Sequence, residues 1–136
     1  MKTNKCYVYF AIDGDDFHPD DITRILNITP SDVKIKGSKI PGKVPVSNSW
    51  KLSTEIVEHE IIDVEQMALS VINQLTPQIE QINQAKQKYN ASTRLEVVLW
   101  ITTDDNQSTP AVGFDLKTMD FLVKVGAIID IDMYRN

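Results

Sequence analysis

Three groups of residues in this chain could do chemistry. The first is a crowded acidic turn, Asp13, Asp15, Asp16, His18, Asp20 and Asp21. Carboxylates gathered in one turn offer oxygen ligands to a hard cation such as calcium or magnesium, and a histidine widens the choice of metal. Asp13, Asp15, Asp16 and His18 are therefore the metal-ligand candidates. Their spacing is not that of an EF-hand loop, and the competing reading is a polar turn followed by acids at the start of a helix. The second group is Lys34, Lys36, Lys39 and Lys43, which face one acid, Asp32, in a segment broken by Gly37, Pro41, Gly42 and Pro45. Ammonium groups beside glycine-freed amides can surround an oxyanion such as phosphate. No phosphate-loop spacing is present, so a solvated loop competes with that reading.

The third group lies on strands. If Tyr7, Tyr9, Trp100 and Tyr134 share one side of a sheet with Glu96, Asp130 and Asp132, the result is an aromatic and acidic binding face. The alternative is that helices between residues 63 and 89 lie over these aromatics and make them core. For catalysis the inventory is thin. Only His18 and His59 exist, and neither has a triad signature around it; no G-x-S-x-G or G-x-G-x-x-G run occurs. No catalytic residue is assigned, and no cofactor is expected.

The elements that must position these groups follow from periodicity. Residues 6 to 12 alternate Cys6, Val8, Phe10 and Ile12 with Tyr7, Tyr9 and Ala11, a strand with no charged face that belongs in the middle of a sheet. Gly14 is expected to supply backbone freedom for the turn that follows. A helix should start near Pro19, carry Ile22, Ile25 and Leu26, and stop at Asn27 before Pro30. Trp50 and Leu52 mark a short strand at 49 to 53, with Trp50 as a core anchor. Asp63 and Gln66 form a capping pair, with Ile62 and Met67 placed to staple the chain across it. The stripe Val64, Met67, Ala68, Val71, Ile72 and Leu75 predicts a helix that Pro77 breaks before a thinner one continues to about residue 89. Residues 94 to 103 alternate as a strand. Residues 111 to 114 read as a brief strand, and Asp115 caps a helix bearing Leu116, Met119, Leu122 and Val123, widened by Phe121 and Val125 and ended by Gly126. Residues 129 to 134 close the chain as a strand whose acids face water.

Composition bounds the function. The chain has 136 residues, 42% of them apolar, enough for one domain with a real core. A formal charge of −5 disfavours bulk nucleic-acid binding and suits a basic partner. Cys6 is the only cysteine, so no internal disulfide can form, and in an apolar strand it reads as a small buried hydrophobe. The first residues lack a signal-peptide pattern and no apolar run is long enough to span a membrane, so a cytoplasmic location is expected.

The spaced set Phe10, Ile12, Gly14, Asp15, Pro19, Ile22, Thr23, Leu26, Ile28 and Pro30, then Lys36 and Gly37, then Trp50, Leu52 and Ser53, resembles an uncharacterised bacterial family known only as a domain of unknown function, four-two-seven-nine. The resemblance is carried mainly by residues 6 to 53. Members often have glycine after the helix leucine where this chain has Asn27, and both residues tolerate the left-handed conformation. The resemblance implies a small, bacterial, cytoplasmic α+β domain and supplies no catalytic residues.

The expected architecture is one α+β domain spanning residues 1 to 136. It has a mostly antiparallel sheet of four to five strands, three to four helices and ferredoxin-like duplicated strand–helix–strand ends, with residues 31 to 49 as a basic Gly/Pro-containing loop. The expected function is non-enzymatic recognition of another protein, in the manner of an immunity protein that neutralises a toxin. The alternative is a small enzyme or ligand sensor with a metal and phosphate site at the acidic turn and lysine-rich loop.

Overall fold

Ten residues, Lys5–Gly14, form β1, the axis of the molecule in a computed structural model that describes residues 2–38 and 43–136. The chain continues through α1 (Pro19–Leu26), β2 (Asp32–Lys34), β3 (Asn48–Ser53) and β4 (Val57–Glu58). It then runs through α2 (Val64–Leu75), a single 3-10 turn at Thr76–Gln78, α3 (Ile79–Tyr89), β5 (Ser92–Ile101), α4 (Leu116–Lys124) and β6 (Ile128–Arg135). The strands make one sheet in the order β2-β3-β1-β5-β6, with β4 also paired to β1. Every pairing among the described residues is antiparallel except β5 with β6.

The α+β class and the mostly antiparallel sheet agree with the periodicity. The strand number does not: six form among the described residues where four or five are expected. The additions are short. Asp32–Lys34 lies in the stretch read as a loop, and Val57–Glu58 in a polar connector, so neither is long enough to display an alternation. Residues 111 to 114, read as a strand, form none, although Val112 and Phe114 still pack on the core. The duplicated topology is not found. β5 and β6, joined by α4, are adjacent and parallel, whereas β3 lies between β1 and β2.

Among the described residues, all four α-helices pack on one face of the sheet. Cys6, Val8, Phe10 and Ile12 from β1 join Leu95, Val97 and Leu99 from β5 there, with Ile22 and Leu26 of α1, Val71 and Ile72 of α2, Ile82 of α3 and Phe121 of α4. Each side chain of this size contributes about 1.5–3 kcal/mol when fully removed from water. Trp50 belongs to the same core, fully buried, and its indole Nε1 donates to Thr23 Oγ1 at 3.0 Å. That bond ties β3 to α1. The breaks fall where the sequence places them: Asn27 takes the left-handed conformation, with φ 54°, and Gly126 does so at φ 63°.

Two expectations need correcting. Gly14 has no positive φ; a β-carbon there would lie 2.9 Å from the Phe17 ring, so the position is small because Phe17 folds back over it. In α4 the buried face is Thr118, Phe121 and Leu122, continued by Val125, while Leu116 and Val123 are each 80% exposed and Met119 is also exposed. Both stripes have helical spacing, and packing against α2 and β1 selects the one carrying Phe121, whose ring meets Phe10 edge-on at 5.6 Å. No helix among the described residues is long and apolar enough to cross a membrane.

Candidate functional site

The face of the sheet opposite the helices carries the third group of residues. Side chains alternate, so Tyr7 and Tyr9 of β1 project together with Arg94, Glu96, Val98 and Trp100 of β5 and with Asp130, Asp132 and Tyr134 of β6. Among the described residues no helix covers them. The cluster on this side is Tyr9, Ala11 and Val98, flanked by Tyr7 and Trp100, and contains no helical residue. Of the two readings open in the sequence, the helix-covered one is therefore overturned: residues 63 to 89 lie on the other face, because their apolar stripe matches Cys6, Val8, Phe10 and Ile12.

The aromatic rings form a row across three strands. Tyr9 stacks on Tyr7 with centroids 5.9 Å apart, Tyr7 meets Trp100 at 5.9 Å, and Trp100 stacks on Tyr134 at 5.5 Å. Register explains the row: Trp100 pairs directly with Tyr134 across β5 and β6 and lies diagonal to Tyr7 across β1 and β5. Lys5 Nζ sits 4.4 Å from the Trp100 ring centroid. The row ends at the edge of the sheet, where Tyr134 is 50% exposed.

Beside the row lies an acidic trio. Glu96 and Asp130 are register partners, Asp132 stands opposite Val98, and one carboxylate oxygen from each lies within 4.8 Å of the others. Glu96 is 1% exposed. Its Oε1 accepts from Arg94 Nη1 in a close contact, while its Oε2 is buried with no hydrogen-bond partner. Burial, then the hydrogen bond that a protonated Glu96 can give Asp130, and the charge of Asp132 push the Glu96 carboxyl up to about 7, against the pull of Arg94. Such a trio offers oxygen ligands to a hard cation or acceptors to a partner's guanidinium or ammonium group.

Arg94 organises the middle of the face. Its Nε donates to Asp13 Oδ2 at 2.8 Å and its Nη1 donates to the Tyr9 hydroxyl at 3.0 Å as well as to Glu96. Burial alone would lower Arg94, but the hydrogen bond and charge of Asp13 more than reverse this and hold it above its ordinary value. Burial also raises the Tyr9 hydroxyl to about 12, against the nearby Arg94.

The acidic turn is dispersed by the fold. Asp13 points onto the sheet face, where it also accepts from Ser49 Oγ, and Asp15 pairs with Lys36 Nζ at 3.4 Å. Asp16 is exposed. His18 is the N-cap of α1: its Nδ1 accepts from the Asp20 amide at 3.1 Å while its own amide donates to Asp21 Oδ2 at 3.0 Å. Histidine is an uncommon choice at that position, so the capping box it forms with Asp21 is hidden in the sequence. Among the described residues, the trio of acids or histidines close enough to share an ion is Glu96, Asp130 and Asp132, not the turn.

The lysines divide. Lys34 pairs with Asp32 at 3.5 Å and, with Lys43, lines a hollow at the far end of the same sheet face; Lys36 is turned toward Asp15, and Lys39 lies outside the described residues. The sequence reading missed Arg94, Lys51 and Ser49. The signal was present, since Ser49 and Lys51 alternate with the core residues Trp50 and Leu52, and Arg94 is two residues from Glu96 on one strand. Cys6 is buried, which raises its thiol to about 11 and leaves it a packing residue.

No curated protein and no solved structure matches the chain. A family model does, over residues 4–136, well beyond the 6 to 53 that carry the resemblance in the sequence. The chain belongs to the family described as a domain of unknown function, DUF4279.

Proposed function

We propose that this protein is a non-enzymatic binding protein of the bacterial cytoplasm whose uncovered sheet face receives a basic protein partner. The observation that carries the reading is the aromatic row from Tyr9 to Tyr134 lying against the Glu96, Asp130 and Asp132 trio on a face without helices. Rigid aromatic rings supply contact area at small entropic cost, and carboxylates beside them select a partner's arginine or lysine. Asp130 is exposed and Asp132 half-buried, so these two carboxylates can meet such a group while Glu96 lies buried beside them. A net charge of −5 steers a basic partner toward the surface. One concrete version is an immunity protein that neutralises a secreted toxin by occupying its basic surface.

Capture experiments over a range of salt, with immobilised protein and lysate of the native host, test this. The wild-type chain should retain a basic protein in a salt-sensitive manner, and Trp100→Ala or Asp130→Lys with Asp132→Lys should lose it. Binding should also weaken below about pH 7, where Glu96 gains its proton. Recovery of no partner at any salt, or equal retention by the variants, would sink the reading.

A further inference from the structure

The far end of the same sheet face carries a second, oppositely charged feature. Lys51 of β3, Ala11 of β1 and Arg94 of β5 are register partners in a row across three strands, and Ala11 leaves a shallow floor between the two cations. Residues 43 to 47 stand beside this floor and border an open hollow of about 570 Å³, within the size range of small-ligand sites. Four cationic side chains line it, Lys34, Lys43, Lys51 and Arg94, against one carboxylate, Asp13. That carboxylate is already answered by Arg94 Nε and Ser49 Oγ.

The cations are not equivalent. Arg94 has its guanidinium committed to Asp13, Tyr9 and Glu96, so the fork that would grip a planar carboxylate is in use. Lys51 has no carboxylate partner among the described residues; its Nζ lies 4.7 Å from the Tyr9 ring centroid, a ring that Arg94 also approaches, at 5.3 Å. Burial, then the charge of Arg94, lowers the Lys51 ammonium, and the charges of Asp32, its register partner, and Asp13 offset this only in part. The Lys34 pair with Asp32 is half-exposed at both ends and easily exchanged. Ammonium groups act as point charges that converge on a tetrahedral anion without demanding planarity. Val44 and Val46 add an apolar wall on the loop side.

We infer that this hollow binds a phosphate monoester on a small apolar body, with Lys34, Lys43 and Lys51 around the phosphate and the residue 44 to 46 wall against the body. The inference is independent of the protein-binding reading. It assigns a site to Lys34 and Lys43 in company with Lys51 and Arg94, with Asp13 the one member of the acidic turn beside them.

Calorimetric titration of the full chain with phenyl phosphate, inorganic phosphate and benzoate at low salt tests it. Phenyl phosphate should bind saturably, inorganic phosphate more weakly, and benzoate at least about tenfold more weakly than phenyl phosphate. Lys43→Gln with Lys51→Gln should weaken phenyl phosphate at least about tenfold. Lys43→Gln alone, an exposed substitution that leaves the fold untouched, should weaken it several-fold, and Trp100→Ala should leave it unchanged. Absence of saturable binding, equal affinity in both lysine variants and wild type, or benzoate binding as tightly as phenyl phosphate would overturn the inference.

Discussion

Trp50 and Trp100 stand on opposite faces of one sheet, in two different surroundings. Trp50 is fully buried in the apolar core, with its one polar side-chain atom satisfied by Thr23. Trp100 lies between Tyr7 and Tyr134 with a lysine over its ring, only partly covered. The sheet beneath is the same, and a shift of one residue along β1 moves from Phe10 in the dry core to Tyr9 under two cations. Alternation thus lets one sheet carry a dry, stabilising face and an uncovered aromatic and charged face without extra chain. Stability should respond strongly to changes on the first face, and charge-dependent behaviour should reside on the second.

The largest effect should come from the helix side. Phe10→Ala removes a fully buried ring and its edge contact with Phe121, and a chemical denaturation series should find about 3–5 kcal/mol lost. Next is the one place on the uncovered face where a single residue matters for folding. Arg94→Met leaves Asp13 and Glu96 without their cation, and the same series should show a loss of about 2–3 kcal/mol, below the full cost of breaking a buried pair because Arg94 is a quarter exposed. If Arg94→Met proves harmless, the polar centre of that face is decoration.

A smaller effect is set by pH. Folding holds the Glu96 proton up to about pH 7, where the unfolded side chain loses it near its ordinary 4.5, so the folded chain carries the extra proton between those values. Stability should therefore fall as pH rises from about 4.5 to about 7. Glu96→Gln lacks the titrating group, and melts of both proteins at pH 5 and pH 8 should show the variant gaining on wild type across that interval. Identical slopes would mean that Glu96 is not desolvated. Smallest of all, Leu116→Gln and Val123→Gln should each change stability by no more than about 0.5 kcal/mol, since both side chains are exposed. A large loss from either would place α4 in the other orientation.

These contrasts also mark how far the sequence could be read. The alternation of β1 and β5, the caps at Asp63 and Asp115 and the stop at Asn27 are local patterns, and local physics suffices to place them. Trp50 was recognisable as core for the same reason. The orientation of α4 was not legible, because Leu116, Met119 and Val123 offer as regular a stripe as Thr118, Phe121 and Val125, and only tertiary packing distinguishes them. The coverage of the aromatic face was equally hidden: strands with two apolar faces predict the same sequence whether helices lie on one side or both. The network of Arg94 with Asp13, Tyr9 and Glu96 joins residues up to 85 positions apart, and no spacing along the chain announces it.

The central claim is that the Trp100 face is bare until a partner arrives, and the two tryptophans allow it to be measured directly. Acrylamide quenching of wild type and of Trp100→Phe separates their emissions by difference, leaving Trp50 alone in the variant. The account predicts blue-shifted, quench-resistant emission from Trp50 and red-shifted, readily quenched emission from Trp100 that becomes protected when the partner binds. Equal resistance of both indoles in the isolated protein would contradict it.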